Sequence, residues 1–307
     1  MSEKTKFRIV DALYIAMMIL PFAVCIVLKV LFTPPSDGVS ISGALIYFTL
    51  DFPIQKLYVT EAQVNSAAVI IFLLGLCLYL THGMKTVAES KRQHLCEMAV
   101  SMAQDFVDSN MGKRFSGFAP FVAAIMALSA ISSLTSLLGL FPPTSDLNIV
   151  GGWAILVFFL ITYYKLKGGV VNYAKGFLEP FALFAPFNVI SEFATPISMA
   201  FRHYGNVLSG TVISVLVAAA LGGLTNILLG WLPWALGEIQ ILRIGIPAVL
   251  SLYFDLFSGL MQAFIFAMLT MLYISNGFSE EDYEKRMQKK AEKKKKREQR
   301  RKSAQTT

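Results

Sequence analysis

Six apolar runs divide this sequence: Val10 to Phe32, Ala67 to Thr81, Phe118 to Phe141, Val150 to Tyr164, and two longer stretches over residues 181–236 and 241–274. Crossing the hydrocarbon core of a bilayer as a helix takes about 20 apolar residues. A soluble fold of 307 residues could not hide so many apolar side chains, since the chain is 55% hydrophobic and only 15% charged. Average soluble usage is roughly 25% charged. The period-2 alternation of a membrane β-barrel is missing from these runs. The chain is expected to be an all-α polytopic membrane protein with about six membrane helices, the last two long, strongly tilted and packed as a hairpin.

Charge placement orients the runs. The net charge of +7 belongs to one segment, because residues 285–302 hold twelve Lys/Arg and two Glu, leaving the remainder at −3. Basic character confined to a terminal tail does not make a nucleic-acid-binding surface. Lys4, Lys6 and Arg8 precede the first run, while Asp37, Asp51 and Glu61 dominate the segment after it. By the positive-inside rule the N-terminus lies in the cytoplasm and the 33–65 segment outside. No small-residue cleavage site follows the first run at the usual distance, so it reads as a retained helix rather than a signal peptide. Lys85, Lys91, Arg92, Lys113 and Arg114 place the next connection inside. Within it, Val87 to Val107 mixes Leu95, Met98, Met102 and Phe106 with Glu89, Lys91 and Asp105, the pattern of an amphipathic helix on the membrane surface. The turn Pro142 to Asn148 lacks Lys and Arg and is expected outside, and Lys165, Lys167 and Lys175 return the chain inside, where the basic tail also ends. Cys25, Cys77 and Cys96 show no metal or redox spacing.

The segment Thr195 to Thr211 carries a single arginine, Arg202, in roughly forty residues that are otherwise apolar, small or weakly polar. Arginine at mid-membrane depth costs about 2.5–3.5 kcal/mol on insertion scales. A chain bears that only when the guanidinium faces a partner, a polar cavity or a carboxylate. At helical spacing Ser191, Thr195, Ser198, Arg202, Asn206 and Ser209 form one stripe, with Ile197, Phe201, Leu208 and Val212 on the other side. In the last run Ser251, Asp255, Ser258, Gly259 and Gln262 share a face. Gln262 would reach Arg202 if the two stretches pack antiparallel around Leu232 to Glu238. Glu192 and Glu238 fall near the ends of the first of these stretches. His203 next to the arginine is a candidate relay or a core histidine.

These motifs carry a resemblance. Arg-His-Tyr-Gly-Asn at 202–206 resembles the arginine motif of subunit a of the F-type ATP synthase, in which aromatic-Gly-Asn follows the arginine after one residue. Gln262 to Tyr273 resembles that family's last helix. Leu138-Gly-Leu-Phe-Pro with Ser145-Asp-Leu-Asn148 is similar to its middle turn, and Lys175 to Pro180 with Pro186-Phe-Asn188 to the approach to its arginine helix. The likeness spans roughly residues 45–275. It implies three parts: an extra N-terminal membrane helix and external loop over 1–44, a subunit a domain over 45–278, and a basic cytoplasmic tail over 279–307. The chain departs from the family pattern at His203, where an apolar residue is commoner, at Asp255, where some members have histidine, and at Thr211, where some have glutamate.

The resemblance implies a stator subunit in a bacterial plasma membrane, with the c-ring and the peripheral-stalk subunit b as protein partners. Arg202 would exchange ions with c-ring carboxylates, and Asn206, Ser209, Asp255, Gln262, Glu192 and Glu238 would line two ion half-channels. Proton is the commoner ion of the family. No Gly-x-x-x-x-Gly-Lys-Ser/Thr occurs, so the chain is not expected to act on nucleotides by itself, and no cofactor or resident metal is expected. The rival class is a secondary transporter with an arginine-centred substrate site, but such folds show paired repeats, and the sequence holds no matching half.

Overall fold

The computed structural model describes residues 3–33, 43–53, 55–87, 90–178, 181–229 and 252–278, with short pieces at 245, 249–250 and between 280 and 293. Among these, six helices are long and apolar enough to cross a membrane: Phe7–Phe32, Glu61–Thr81, Lys113–Leu138, Leu147–Gly168, Ala185–Thr225 and Leu252–Asn276. The protein is an all-α polytopic membrane protein, as its apolar runs predict. The expected turn around Leu232 to Glu238, Glu238 itself and Ser251 lie outside the described residues.

Helix α1 (Glu3–Phe32) packs along α2 (Glu61–Thr81). Gly75 makes the approach close, because a Cβ there would stand 3.1 Å from Met18 Cγ and 3.3 Å from the Tyr14 carbonyl oxygen. Both ends of this pair are tied by charge. At one end Asp11 accepts from Arg92 at 3.1 Å and meets His82 Nδ1 at 2.8 Å, while Phe7 stacks on the His82 ring at 4.3 Å. At the other, Lys29 pairs with Glu61 at 3.2 Å.

Between α1 and α2 lies a two-stranded antiparallel hairpin, β1 (Ile46–Asp51) and β2 (Lys56–Thr60), where sequence reasoning gave only an external segment. Helix α3 (Lys91–Met111) occupies most of the stretch read as amphipathic over 87–107, started by the Ser90 hydroxyl accepting from the Gln93 amide. Its Leu95, Met98, Val100 and Met102 are exposed, while Val107 and Met111 are buried against the bundle.

Helix α4 (Ala119–Leu134) is flanked by 3₁₀ turns at Lys113–Phe118 and Thr135–Leu138. A left-handed Gly139 (φ 72°) ends that run and starts the turn into α5 (Leu147–Gly168), which Asp146 caps by accepting from the Asn148 amide. After the short α6 (Val170–Gly176), helix α7 (Ala185–Leu229) runs for 45 residues. At 1.5 Å per residue it is about 67 Å long, more than twice the ~30 Å hydrocarbon thickness. Such a helix stays in a membrane only if strongly tilted. The chain returns through a π-helical segment, Leu252–Ser258, into α8 (Gly259–Asn276).

The packed centre joins α3, α4, α5 and α8 through Val107, Met111, Phe115, Val122, Val157, Phe266, Met271 and Ile274. Lipid is as apolar as these side chains, so close van der Waals fit rather than escape from water holds helices together at this depth. Glycine supplies the fit at Gly259, where a Cβ would stand 2.7 Å from Ser133 Cβ, and at Gly210, where it would stand 2.9 Å from Phe254 Cβ.

Candidate functional site

Helix α7 is packed on one side only. Pro196, Met199, Ala200, His203 and Gly210 are buried, whereas Ile197, Ser198, Phe201, Arg202, Ser209 and Ile213 are exposed. Arg202 stands at the edge of the outward half. No ion pair or hydrogen bond with any described residue engages it. Ile197 and Phe201, 54% and 55% exposed, flank it on that outer half. The arginine therefore points out of the chain from an apolar surface rather than into a cavity of its own bundle.

One residue on, His203 points the other way and is fully buried. Its Nε2 lies 3.2 Å from Ser129 Oγ, and its ring meets Trp153 and Phe266 edge-on at 6.0 and 5.6 Å. Nδ1 of His203 has no hydrogen-bond partner. The i to i+1 rotation of about 100° along a helix separates these two adjacent side chains.

The polar stripe does not stay on one surface. Asn206 is half-buried and donates from Nδ2 to Ser258 Oγ at 2.7 Å, linking the arginine helix to the start of α8. Ser209 is exposed and turns back to the Asn206 carbonyl at 3.1 Å. Asp255 is half-buried within the π segment. Wider π turns shift the register of the residues that follow, and such segments recur at functional sites. Gln262 is buried, 4% exposed, on α8, and no hydrogen bond joins it to Arg202.

Glu192 lies one turn before Pro196 and faces a cleft of about 470 Å³ that Lys165, Tyr173, Asn188, Ser191 and Thr195 also line. Lys165 Nζ donates to Glu192 Oε2 at 2.6 Å, and the Tyr173 hydroxyl donates to Oε1 at 3.4 Å. Burial pushes the Tyr173 phenol above its ordinary value, and the Glu192 charge adds to the shift. Thr195, the innermost polar residue of this cleft on α7, is two helical turns from Arg202. Sequence reasoning singled out Glu192 but not Lys165 or Tyr173, which reach it from α5 and α6 across sequence separations that periodicity does not bridge.

A long apolar helix packed along one side, with Arg202 on its exposed side, belongs to a multi-pass membrane protein. The family model described as ATP synthase A chain matches residues 64–275, and the chain belongs to that family. It is 32% identical over 232 residues to "ATP synthase subunit a" of Bacillus pumilus, covering 71% of this chain and 91% of the relative. It is 33% identical over 214 residues to the protein of that name from Acidothermus cellulolyticus, covering 66% of this chain and 71% of the relative. A third relative, "ATP synthase subunit a, sodium ion specific" of Propionigenium modestum, is 36% identical over 142 residues, covering 46% and 42%.

Proposed function

We propose that the chain is the ion-translocating stator subunit of an F-type ATP synthase, with Arg202 presented to the carboxylates of a rotating c-ring and a peripheral-stalk subunit b as its second partner. The observation that carries this reading is Arg202, exposed on the outward face of the long helix α7 and without a partner among the described residues. A guanidinium stays protonated at any attainable pH and offers five donors. Brought within a few ångströms of a ring carboxylate, it favours the ionised form, so the carboxylate releases its ion on arrival. Turning away into lipid, the carboxylate loses that support and reloads. Arg202 thereby keeps two aqueous half-channels from joining. Each elementary charge crossing 100 mV delivers about 2.3 kcal/mol, so several are summed for each ATP.

The cleft holding Glu192 serves as the cytoplasmic half-channel, closing on Thr195 below the arginine. Asn206, Ser209, Asp255 and Gln262 lie on the opposite route, and Glu238 belongs near its mouth by sequence position. The chain's subunit a domain is residues 45–278, with 1–44 as an added helix and loop and 279–307 as a basic tail. Both termini face the cytoplasm of a bacterial cell, the translocated ion is the proton, and nucleotide chemistry belongs to other subunits.

The test is Arg202→Ala in the assembled synthase reconstituted in liposomes. Ion-driven ATP synthesis is expected to fall at least about 100-fold, equivalent to roughly 2.7 kcal/mol, while the subunit remains in the membrane complex. Wild-type synthesis by that variant sinks the reading.

A further inference from the structure

On the side of the bundle away from the Glu192 cleft, a second polar group is buried where α1, α2 and the α4–α5 turn meet. Glu61, 2% exposed, accepts from the Phe141 amide at 3.1 Å, and Asn65, fully buried, donates to the Phe141 carbonyl at 2.8 Å. Lys29 of α1 pairs with Glu61 at 3.2 Å and donates to the Gly139 carbonyl at 2.6 Å. Among the described residues, two polar atoms here have no partner, Asn65 Oδ1 and the Tyr47 hydroxyl. A buried oxygen without a donor is costly unless something small and positive or hydrogen-bonding visits it. Lys29 and Glu61 precede residue 64, outside the stretch matched to the family.

Further buried oxygens follow Phe141 along the turn. Thr144, three residues past Phe141 and fully buried, lies 3.3 Å from Ser133 in hydroxyl–hydroxyl contact. Ser133 touches the α8 backbone at Gly259, and the neighbouring Ser258 holds Asn206, one turn from Arg202.

We propose that Glu61 and Asn65 form the outer ion-collecting site of this subunit, passing a cation along Thr144 and Ser133 to Asn206, with Lys29 setting how long Glu61 holds it. This rests on the stator reading above. Lys29 Nζ stands 3.2 Å from Glu61 Oε1, so it competes with an arriving cation for the same carboxylate oxygen and limits the dwell time. Among the described residues the groups facing Glu61 are Lys29 and Cys25 on α1, Tyr47 on β1 and the turn backbone at Phe141, so Lys29 is the basic group among them.

The test uses the whole synthase in liposomes at a fixed potassium–valinomycin potential, with ATP synthesis followed as external pH is varied, and separately as external sodium is varied at constant pH. Glu61→Gln keeps an acceptor for the Phe141 amide and removes the charge. It is expected to raise the half-saturating external ion concentration about tenfold with the saturating rate within about twofold. Lys29→Met is expected to do the reverse, lowering both the half-saturating concentration and the saturating rate. A structural role would lower the saturating rate in both variants without moving half-saturation, and that result overturns the proposal. Whichever ion shifts the curve identifies the ion collected. In a second measurement, with Cys25→Ala, Cys77→Ser and Cys96→Ser as background, Asn65→Cys should be blocked by silver ion added outside; insensitivity overturns the proposal. Arg202→Ala run in parallel separates the levels. If it still synthesises ATP, the stator reading falls; if it is inactive while Glu61→Gln titrates as wild type, only the outer site falls.

Discussion

Arg202 and His203 show how much one residue's rotation decides. Both are costly at membrane depth, yet the first is exposed and, among the described residues, unpartnered, and the second is buried against Ser129, Trp153 and Phe266. Tyr47 is a third case, outside the membrane-spanning segments. Burial, joined by the charge of Glu61, raises its phenol from 10.0 to about 12. A raised value in the folded state means that the neutral phenol's contribution to stability is complete below pH 10 and is lost as pH climbs toward 12. Tyr47→Phe should therefore flatten the alkaline loss of thermal stability in that window, measured as melting midpoint against pH in detergent. An unchanged slope would mean that the phenol does not ionise there. The arginine was legible in the sequence because charge in an apolar run is conspicuous. The environment of Tyr47 was not, because Glu61 is brought to it by a hairpin that no charge or period announced.

At the scale of elements, contact between α4, α7 and α8 depends on missing side chains. Gly259→Val places its Cβ against Ser133, 2.7 Å away in the wild-type geometry, and is expected to destabilise the purified subunit by about 1–3 kcal/mol. Adding Ser133→Gly should recover part of the loss, read as a thermal midpoint. No recovery would place the strain elsewhere. Apolar run length and Ala/Ser content marked these helices from the sequence. The meeting of Gly259 with Ser133, and of Asn206 with Ser258, was out of reach, because each joins elements separated by long stretches of chain. The π segment also escaped: Asp255 and Gln262 share a face only at a constant 3.6-residue period, which Leu252–Ser258 interrupts.

For the whole molecule, helix α1 precedes the stretch the family model matches and is held at both ends. Asp11→Ala leaves the 20%-exposed Arg92 without its carboxylate partner and should cost about 1–3 kcal/mol of stability. Cross-linking between α1 and α2 cysteines at positions 18 and 75 should weaken in parallel. An undiminished cross-link would show that helix packing alone seats α1.

The sequence by itself determined the membrane class, the number of long apolar helices and the presence of Arg202 within one of them, since all of these follow from local composition and spacing. The tertiary structure decided which way Arg202 points, which cation meets Glu192 and Glu61, and where buried oxygens line up. These depend on how tilted helices cross, and the rotation of one helix against another is set by packing between residues distant in the chain.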